Sequence, residues 1–322
     1  MPALSILVVA YRQREALIEC LESVVTAGDR TPGEAELIVV DNGGLAGIVR
    51  SRFPQARLVE PGSNIGFAGA VQRGIAAAAG DWVALVNDDA RLEPDALAAL
   101  IAAGESDARI GSVAAQVRFE ADPGRLNSAG IEVDSLGVAT ERLAGSPVGE
   151  AWQAIEVFGP SGACALYRVA MLEQIGGFDE RFFAYLEDVD VAWRARAAGW
   201  TSVYEPRAVA YHRASSSSGA GSSLKYELVG RNRVWLLARN ATTRQLVRAL
   251  PGIVAYDLAY IAYVALTDRT LAPLRGRLAG LRAWRGLRAE TALRRHKVEL
   301  GSALRGWRAA LTQHRAYRRF AA

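Results

Sequence analysis

The chain is poor in sulfur, with two cysteines and two methionines in 322 residues. Cys20 and Cys164 cannot build a disulfide framework or a cysteine-based zinc site, so a reducing, cytosolic setting is expected. Histidine is also scarce, at three residues. The first apolar run has no basic segment before it, and Tyr11-Arg12-Gln13-Arg14 ends it early. It reads as a buried strand, not a signal peptide. No G-x-G-x-x-G opens a first strand–helix–strand unit, and no G-x-x-x-x-G-K-[ST] occurs. Dehydrogenase and P-loop readings lose their main support. No internal repeat is present.

What is there is a globular composition, 51% hydrophobic and 22% charged. The length suits one large α/β domain with an appendage, or two modest domains. A net charge of +4 hides a division. Residues 225–322 hold 20 of the 38 Lys and Arg but 5 of the 34 Asp and Glu, a balance of +15 against −11 for residues 1–224. A front domain over 1–224 and a basic, almost lysine-free helical region over 225–322 are therefore expected.

The front alternates strand and helix. Ser5–Ala10 reads as a strand buried on both faces, Leu37–Val40 as a second buried strand, and Ala56–Glu60 and Trp82–Val86 as a third and a fourth strand. Glu15–Ala27, Leu45–Arg52, Ile65–Ala79 and Asp95–Ala103 read as helices between and after them. This order predicts a mainly parallel sheet flanked by helices. Residues 113–170 loosen into short strands and turns. A helix is predicted over Phe178–Gly199, then two short strands, Thr201–Tyr204 and Ala208–Tyr211. Ser215–Ser223 is low-complexity and reads as a mobile loop.

Ligands of such sheets bind at the carboxyl ends of the strands. Asn87-Asp88-Asp89 closes one strand, where adjacent carboxylates suit Mg²⁺ or Mn²⁺, or form a plain solvated turn. Asp41 closes its neighbour and either accepts from a nucleobase N–H or starts an Asx turn into Gly43. Glu187-Asp188-Val189-Asp190 stands near a helix start, a favourable place for acids. Three crowded carboxylates beside Phe182, Phe183 and Tyr185 also have reason to titrate high, as a general base requires. His212 ends an apolar strand, either as a structural histidine or as a ligand.

Together these pieces resemble the family 2 inverting glycosyltransferases of GT-A fold, in their rhamnosyltransferase-like branch of cell-wall and O-antigen assembly. The resemblance runs in order through Ile6–Arg12, Leu37–Asn42, Asn64–Ala70, Leu85–Asp89, Gly159–Ala163, Ile175–Glu180, Phe182–Asp190, Trp193-Arg194, Gly199-Trp200 and His212, and covers roughly residues 4–240. It implies a donor nucleotide-sugar site of Ala10, Tyr11, Arg12, Asp41, Asn64, Gly66, Gln72, Asn87 and Asp88, with Asp41 at the base. It implies Asp188 as general base, with Gly162, Glu187, Asp190 and Trp193 positioning the acceptor. Asp89 and His212 would hold Mg²⁺ or Mn²⁺. Departures are Ala10-Tyr11-Arg12 where Thr-Tyr-Asn is common, Asn87 for the first Asp of D-x-D, and Val71-Gln72 for an Arg-Asn pair. They bear on the donor, for which dTDP-rhamnose is favoured by the branch and by Arg231-Asn232-Arg233, with UDP-linked hexoses, N-acetylhexosamines or galactofuranose as the alternative.

A sugar nucleotidyltransferase is the rival enzyme, but Ala10–Arg14 lacks the glycine-rich loop it would carry. A nucleic-acid role for the tail has no accompanying motif, and no nucleic acid is expected. Ala249–Leu266 is strongly apolar, opened by Pro251-Gly252 and short for a span, with Asp257 in its middle. Either it packs on the catalytic domain or it lies in a membrane interface. Leu278, Leu281, Trp284, Leu287, Leu304, Trp307 and Leu311 among many arginines favour the latter. The expected setting is a peripheral enzyme on the inner face of the cell membrane, acting on a glycan or polyprenyl-diphosphate-linked sugar. The Ser215–Ser223 loop is expected to close over the donor.

Overall fold

The computed structural model describes residues 3–213, 222–290 and 298–320. Its centre is a sheet whose first strand, β1 (Leu4–Ala10), is buried along its whole length. Leu4, Ile6, Val8 and Ala10 enter one apolar cluster and Leu7 and Val9 another, so the strand is covered on both faces. That is why its sequence reads as one apolar run rather than an alternation. β2 (Ala35–Asp41) and β4 (Trp82–Asn87) pair with β1 in parallel, and β3 (Arg57–Val59) extends the sheet from β2. The helices α1 (Arg14–Gly28), α2 (Ala46–Arg52), α3 (Gly66–Ala77) and α4 (Ala96–Glu105) fall within two residues of the expected bounds.

The second half of the sheet is mixed. β11 (Cys164–Arg168) runs antiparallel to β4 and to β6 (Ile110–Phe119). β12 (Thr201–His212) lies parallel to β6, with a register shift between Glu205 and Val209. The two short strands expected there are thus one bulged strand. β5 (Ala90–Leu92) pairs His212 with Ala90, carrying the histidine to the end of β4. Short strands β7 (Leu126–Ser128) and β10 (Ile155–Val157) border this half, and β8 (Ile131–Val133) and β9 (Ala139–Glu141) make a separate hairpin.

The expected Phe178–Gly199 helix is shorter. After α5 (Val169–Ile175), a 3-10 turn covers Glu180–Phe182, and α6 spans Glu187–Ala197. Between them Phe183, Tyr185 and Leu186 hold φ of 64°, 70° and 66°, a left-handed conformation that no helix contains.

The C-terminal helices are α7 (Ser223–Asn240), α8 (Thr243–Thr267), α9 (Ala272–Arg282), α10 (Trp284–Glu290) and α11 (Ala303–Phe320). A Thr242–Gln245 capping box starts α8, which passes through Pro251 instead of beginning there. Leu236, Leu237, Ile253 and Val298 pack with Ile131, Val133, Phe158 and Trp193, so the charge boundary near 224 is not a packing boundary. Most of the Ser215–Ser223 loop and the side chains of Leu304 and Trp307 lie outside the described residues.

Candidate active site

The carboxyl ends of β1, β2 and β4 open onto a cavity of about 880 Å³. At its strand-end wall, the Tyr11 amide donates to Asp88 Oδ2 at 2.6 Å. Burial outweighs that bond and pushes Asp88 up to about 7. Asn42 reaches across to the next loop, its amide nitrogen donating to Asn64 Oδ1 at 3.0 Å and its oxygen accepting from Ile65 N at 2.9 Å. Gly66 begins α3 at φ 79°, and a Cβ there would come within 2.5 Å of Phe183. Glycine is required for α3 to meet the loop that carries the acidic cluster.

Asp89 and His212 meet at this wall, Oδ1 to Nε2 at 3.0 Å. On the other side of the ring, Nδ1 lies 3.0 Å from Asn127 Oδ1. A carbonyl oxygen only accepts, so Nδ1 carries a hydrogen and Nε2 faces the carboxylate. Burial opposes a charged imidazole here, but Asp89's charge and hydrogen bond prevail and raise its pKa. Asn87 Oδ1 is buried without a partner beside them. A carboxylate, an oriented imidazole and an orphaned carbonyl oxygen fit a divalent cation that would displace the Nε2 proton. Among the described residues no group of three His, Cys, Asp or Glu is arranged to hold a metal, so donor oxygens and water must complete the shell.

Asp188, at the start of α6, faces the same cavity. Its Oδ2 accepts from Gly162 N at 3.1 Å and its Oδ1 from Val189 N at 2.8 Å. Burial raises its pKa despite these bonds. Burial, then the charge of Asp188, pushes neighbouring Glu187 up to about 8, and Glu187 Oε2 has no partner. Glu141, which accepts from Ser161 Oγ at 3.1 Å, is pushed to about 7 by burial and by Asp188. The pocket therefore holds several carboxyl groups that resist ionising together.

The loop before α6 is held from outside. Asn232 Nδ2 lies 2.9, 2.8 and 2.7 Å from the carbonyls of Phe182, Ala184 and Tyr185. Arg231 adds a 2.7 Å bond to the Phe182 carbonyl. A strained turn at a functional site needs such external fixing.

Other expected residues stand elsewhere. Asp190 is fully buried, bound to Arg194 at 2.8 Å and Asn240 at 2.8 Å, and Trp193 packs edge-on to Phe158. Both face the core behind α6, because the cavity side of the helix is taken by Glu187 and Asp188; direct positioning of an acceptor by them is corrected. Gln72 accepts from Phe178 N at 2.8 Å, and Ala10 is buried within β1, so neither lines the cavity. Arg12 lies over the ring of Tyr11, also outside the lining. Asp41 adopts the Asx-turn alternative. Its oxygens accept from Gly43, Gly44, Leu45 and Ala46, and these bonds outweigh burial and lower its pKa. Residues not foreseen are Asn42, Asn127, Glu141, Lys225 and Tyr317. Asn127 and Glu141 belong to no motif, and α11 brings Tyr317 in from the far end of the chain.

Comparison with known proteins is consistent with this geometry. The family model described as "Glycosyl transferase family 2" matches residues 5–176. An N-acetylglucosaminyl-diphospho-decaprenol L-rhamnosyltransferase of Mycobacterium tuberculosis is 32% identical over 253 residues, covering 67% of this chain and 78% of the relative. Among solved structures, the mannosyltransferase PcManGT from Pyrobaculum calidifontis, with GDP-Man and Mn²⁺, aligns at TM-score 0.51 and 20% identity over 99% of this chain and 83% of that one. GalNAc-T7 with UDP, GalNAc and Mn²⁺ aligns at TM-score 0.60 and 12% identity over 99% of this chain and 58% of that one. At such identities these likenesses speak for the fold, and they bear out the expected GT-A architecture.

Proposed function

The chain belongs to glycosyl transferase family 2 and is a glycosyltransferase; from that premise we propose that it moves L-rhamnose from a nucleotide donor, dTDP-rhamnose, to a polyprenyl-diphosphate-linked sugar with inversion. The observation that carries the mechanism is Asp188, a cavity-facing carboxylate with raised pKa held by the Gly162 amide. The acceptor hydroxyl gives its proton to Asp188 while its oxygen forms the new bond to the donor's anomeric carbon. The bond to the nucleoside diphosphate breaks on the opposite face, and no covalent intermediate is needed. Asp89 and His212 would hold Mg²⁺ or Mn²⁺, which supplies charge neutralisation to the departing diphosphate. Glu187, kept protonated near neutrality, adds no second charge beside Asp188 and can donate a hydrogen bond.

The rhamnose donor and lipid-linked acceptor follow the mycobacterial relative, an L-rhamnosyltransferase of N-acetylglucosaminyl-diphospho-decaprenol, and the sequence branch. A membrane setting is supported by α8, which is long and apolar enough to cross a bilayer yet only 6% buried over its most apolar stretch. Leu250, Val254 and Leu258 are exposed, as are Arg244, Arg248, Arg275 and Arg282 nearby in the chain. Asp257, at the helix middle, is turned inward to Arg233 and Arg277 and would meet no lipid. This describes a helix lying on an anionic membrane surface.

The test is transfer by the full-length protein to N-acetylglucosaminyl-diphosphoryl-prenol, with dTDP-rhamnose and a panel of UDP-sugars, with and without Mn²⁺, followed by mass spectrometry. A product heavier by one deoxyhexose, from dTDP-rhamnose alone, is expected. Transfer only from a UDP-sugar would replace the donor assignment.

A further inference from the structure

The loop 183–186 divides the cavity wall. On one side it meets Gly66 and Ala68 of the strand-end wall. On the other it is gripped by α7, and there α7, α8 and α9 build a second arm. This arm contains two arginines, Arg233 and Arg277, each more than nine-tenths buried. Both donate to one carboxylate oxygen, Asp257 Oδ1, at 3.0 and 2.8 Å. Each also bonds one backbone carbonyl, Gly137 for Arg233 and Pro273 for Arg277. One carboxylate neutralises one of two guanidinium charges. Asp268, in the same arm, accepts from the hydroxyls of Tyr226 and Thr267, and Asp134, near Arg233, is shifted toward its protonated form by burial.

The arginines are also short of acceptors. Arg233 Nη2 and Arg277 Nε are buried with no hydrogen-bond partner. The parallel rings of Tyr256 and Tyr260 lie against them, at 4.9 Å from Arg233 and 5.3 Å from Arg277. A buried donor left unmatched is costly, so such a group inside a cavity points to an anionic ligand with several acceptor oxygens. Guanidinium forks suit phosphate geometry.

We propose that Arg233 and Arg277 bind the diphosphate of the lipid-linked acceptor, an anion site separate from the donor's at Asp89. The inference rests on the proposed acceptor class. Position supports it. Tyr256, Asp257 and Tyr260 belong to the same helix, α8, whose exposed face carries Leu250, Val254 and Leu258, so a diphosphate here leaves its prenyl chain beside the apolar surface.

Two acceptors separate the possibilities: N-acetylglucosaminyl-diphosphoryl-prenol with a short chain, and the same sugar as a neutral alkyl glycoside. Wild type is expected to favour the diphosphate acceptor in kcat/KM by about a hundredfold, taking roughly tenfold per charge-assisted contact. Arg277→Gln should cut that preference about tenfold or more, chiefly through acceptor KM. Should Arg277→Gln fail to fold, Arg277→Lys, which keeps the charge but loses the fork, should give a smaller cut. Independently, inorganic pyrophosphate in EDTA should raise the Tm of wild type and of Asp89→Ala, but not of Arg277→Gln. Equal use of both acceptors by wild type, an unaltered preference in a folded Arg277 variant, or a pyrophosphate shift lost only in Asp89→Ala would overturn the inference. Transfer to neither acceptor would instead remove the acceptor reading, and this site with it.

Discussion

His212 Nε2 stands 3.0 Å from Asp89 Oδ1 because β12 returns to pair with β5, just beyond the strand that carries the acidic pair. The contact makes the candidate cation site a product of topology. It also makes the site sensitive to whatever orients the imidazole, and that is Asn127.

Asn127→Leu removes the acceptor for Nδ1 without touching Asp89 or His212. Second-shell losses of this kind typically cost about 10–100-fold in metal affinity. Titration of Mn²⁺ into the protein with bound nucleotide should show a loss of that order. Unchanged Mn²⁺ affinity would mean that Asn127 does not set the ring.

Asn232→Ala leaves three loop carbonyls without their shared donor and frees the left-handed turn 183–186. Denaturant unfolding should show a loss of about 2–4 kcal/mol, given the net value of hydrogen bonds and the cost of unmatched buried groups. Turnover should fall further than donor binding, since the loop leads directly into Asp188.

The turn also shows where sequence reading stops. Apolar spacing continues through Phe178–Gly199, so a single helix was expected there. Asn232, some 50 residues later, stabilises a different path. β1, β2 and β4 were legible because each is an apolar run buried along most of its length, and β3, a short edge strand, through its place in the alternation of strand and helix. β6 and β11 were not, because they fall largely in the loose stretch of short strands and turns over 113–170, outside the alternation of strand and helix. Asp88, Asp89, Asp188 and His212, singled out by their places at strand ends and a helix start, all line the cavity, whereas Asp190 and Trp193 share the motif but face the core. Arg277 sits in an arginine-rich tail where nothing local distinguishes it from its exposed neighbours.

Glu187 gives a pH dependence with a definite sign. A carboxyl whose folded pKa is raised makes the folded state bind more protons than the unfolded chain, so stability falls as pH rises from the ordinary glutamate range to about 8. Glu187→Gln should flatten the decline of Tm between pH 5 and 8, a window set by those two values. It should leave the acid limb of kcat in place, since Asp188 already ionises beside a neutral Glu187 in the wild type. A steeper Tm decline in the variant would contradict the assignment.

Membrane association is best tested on intact α8, because α7, α8 and α11 share the core and line the cavity. Leu250→Gln, Val254→Gln and Leu258→Gln together alter one face at helical spacing. Wild type should float with anionic vesicles and partly release at high salt, and the triple variant should not float. Equal flotation of both would place the contact elsewhere.

The most direct measurement is single-turnover transfer by Asp188→Asn, with donor affinity measured on the same preparation. Asparagine keeps the size of the side chain and removes the proton acceptor. The transfer rate should fall by about a hundredfold or more, the usual share of general-base catalysis, while the donor dissociation constant changes less than threefold. A transfer rate within a few-fold of wild type would show that Asp188 is not the base.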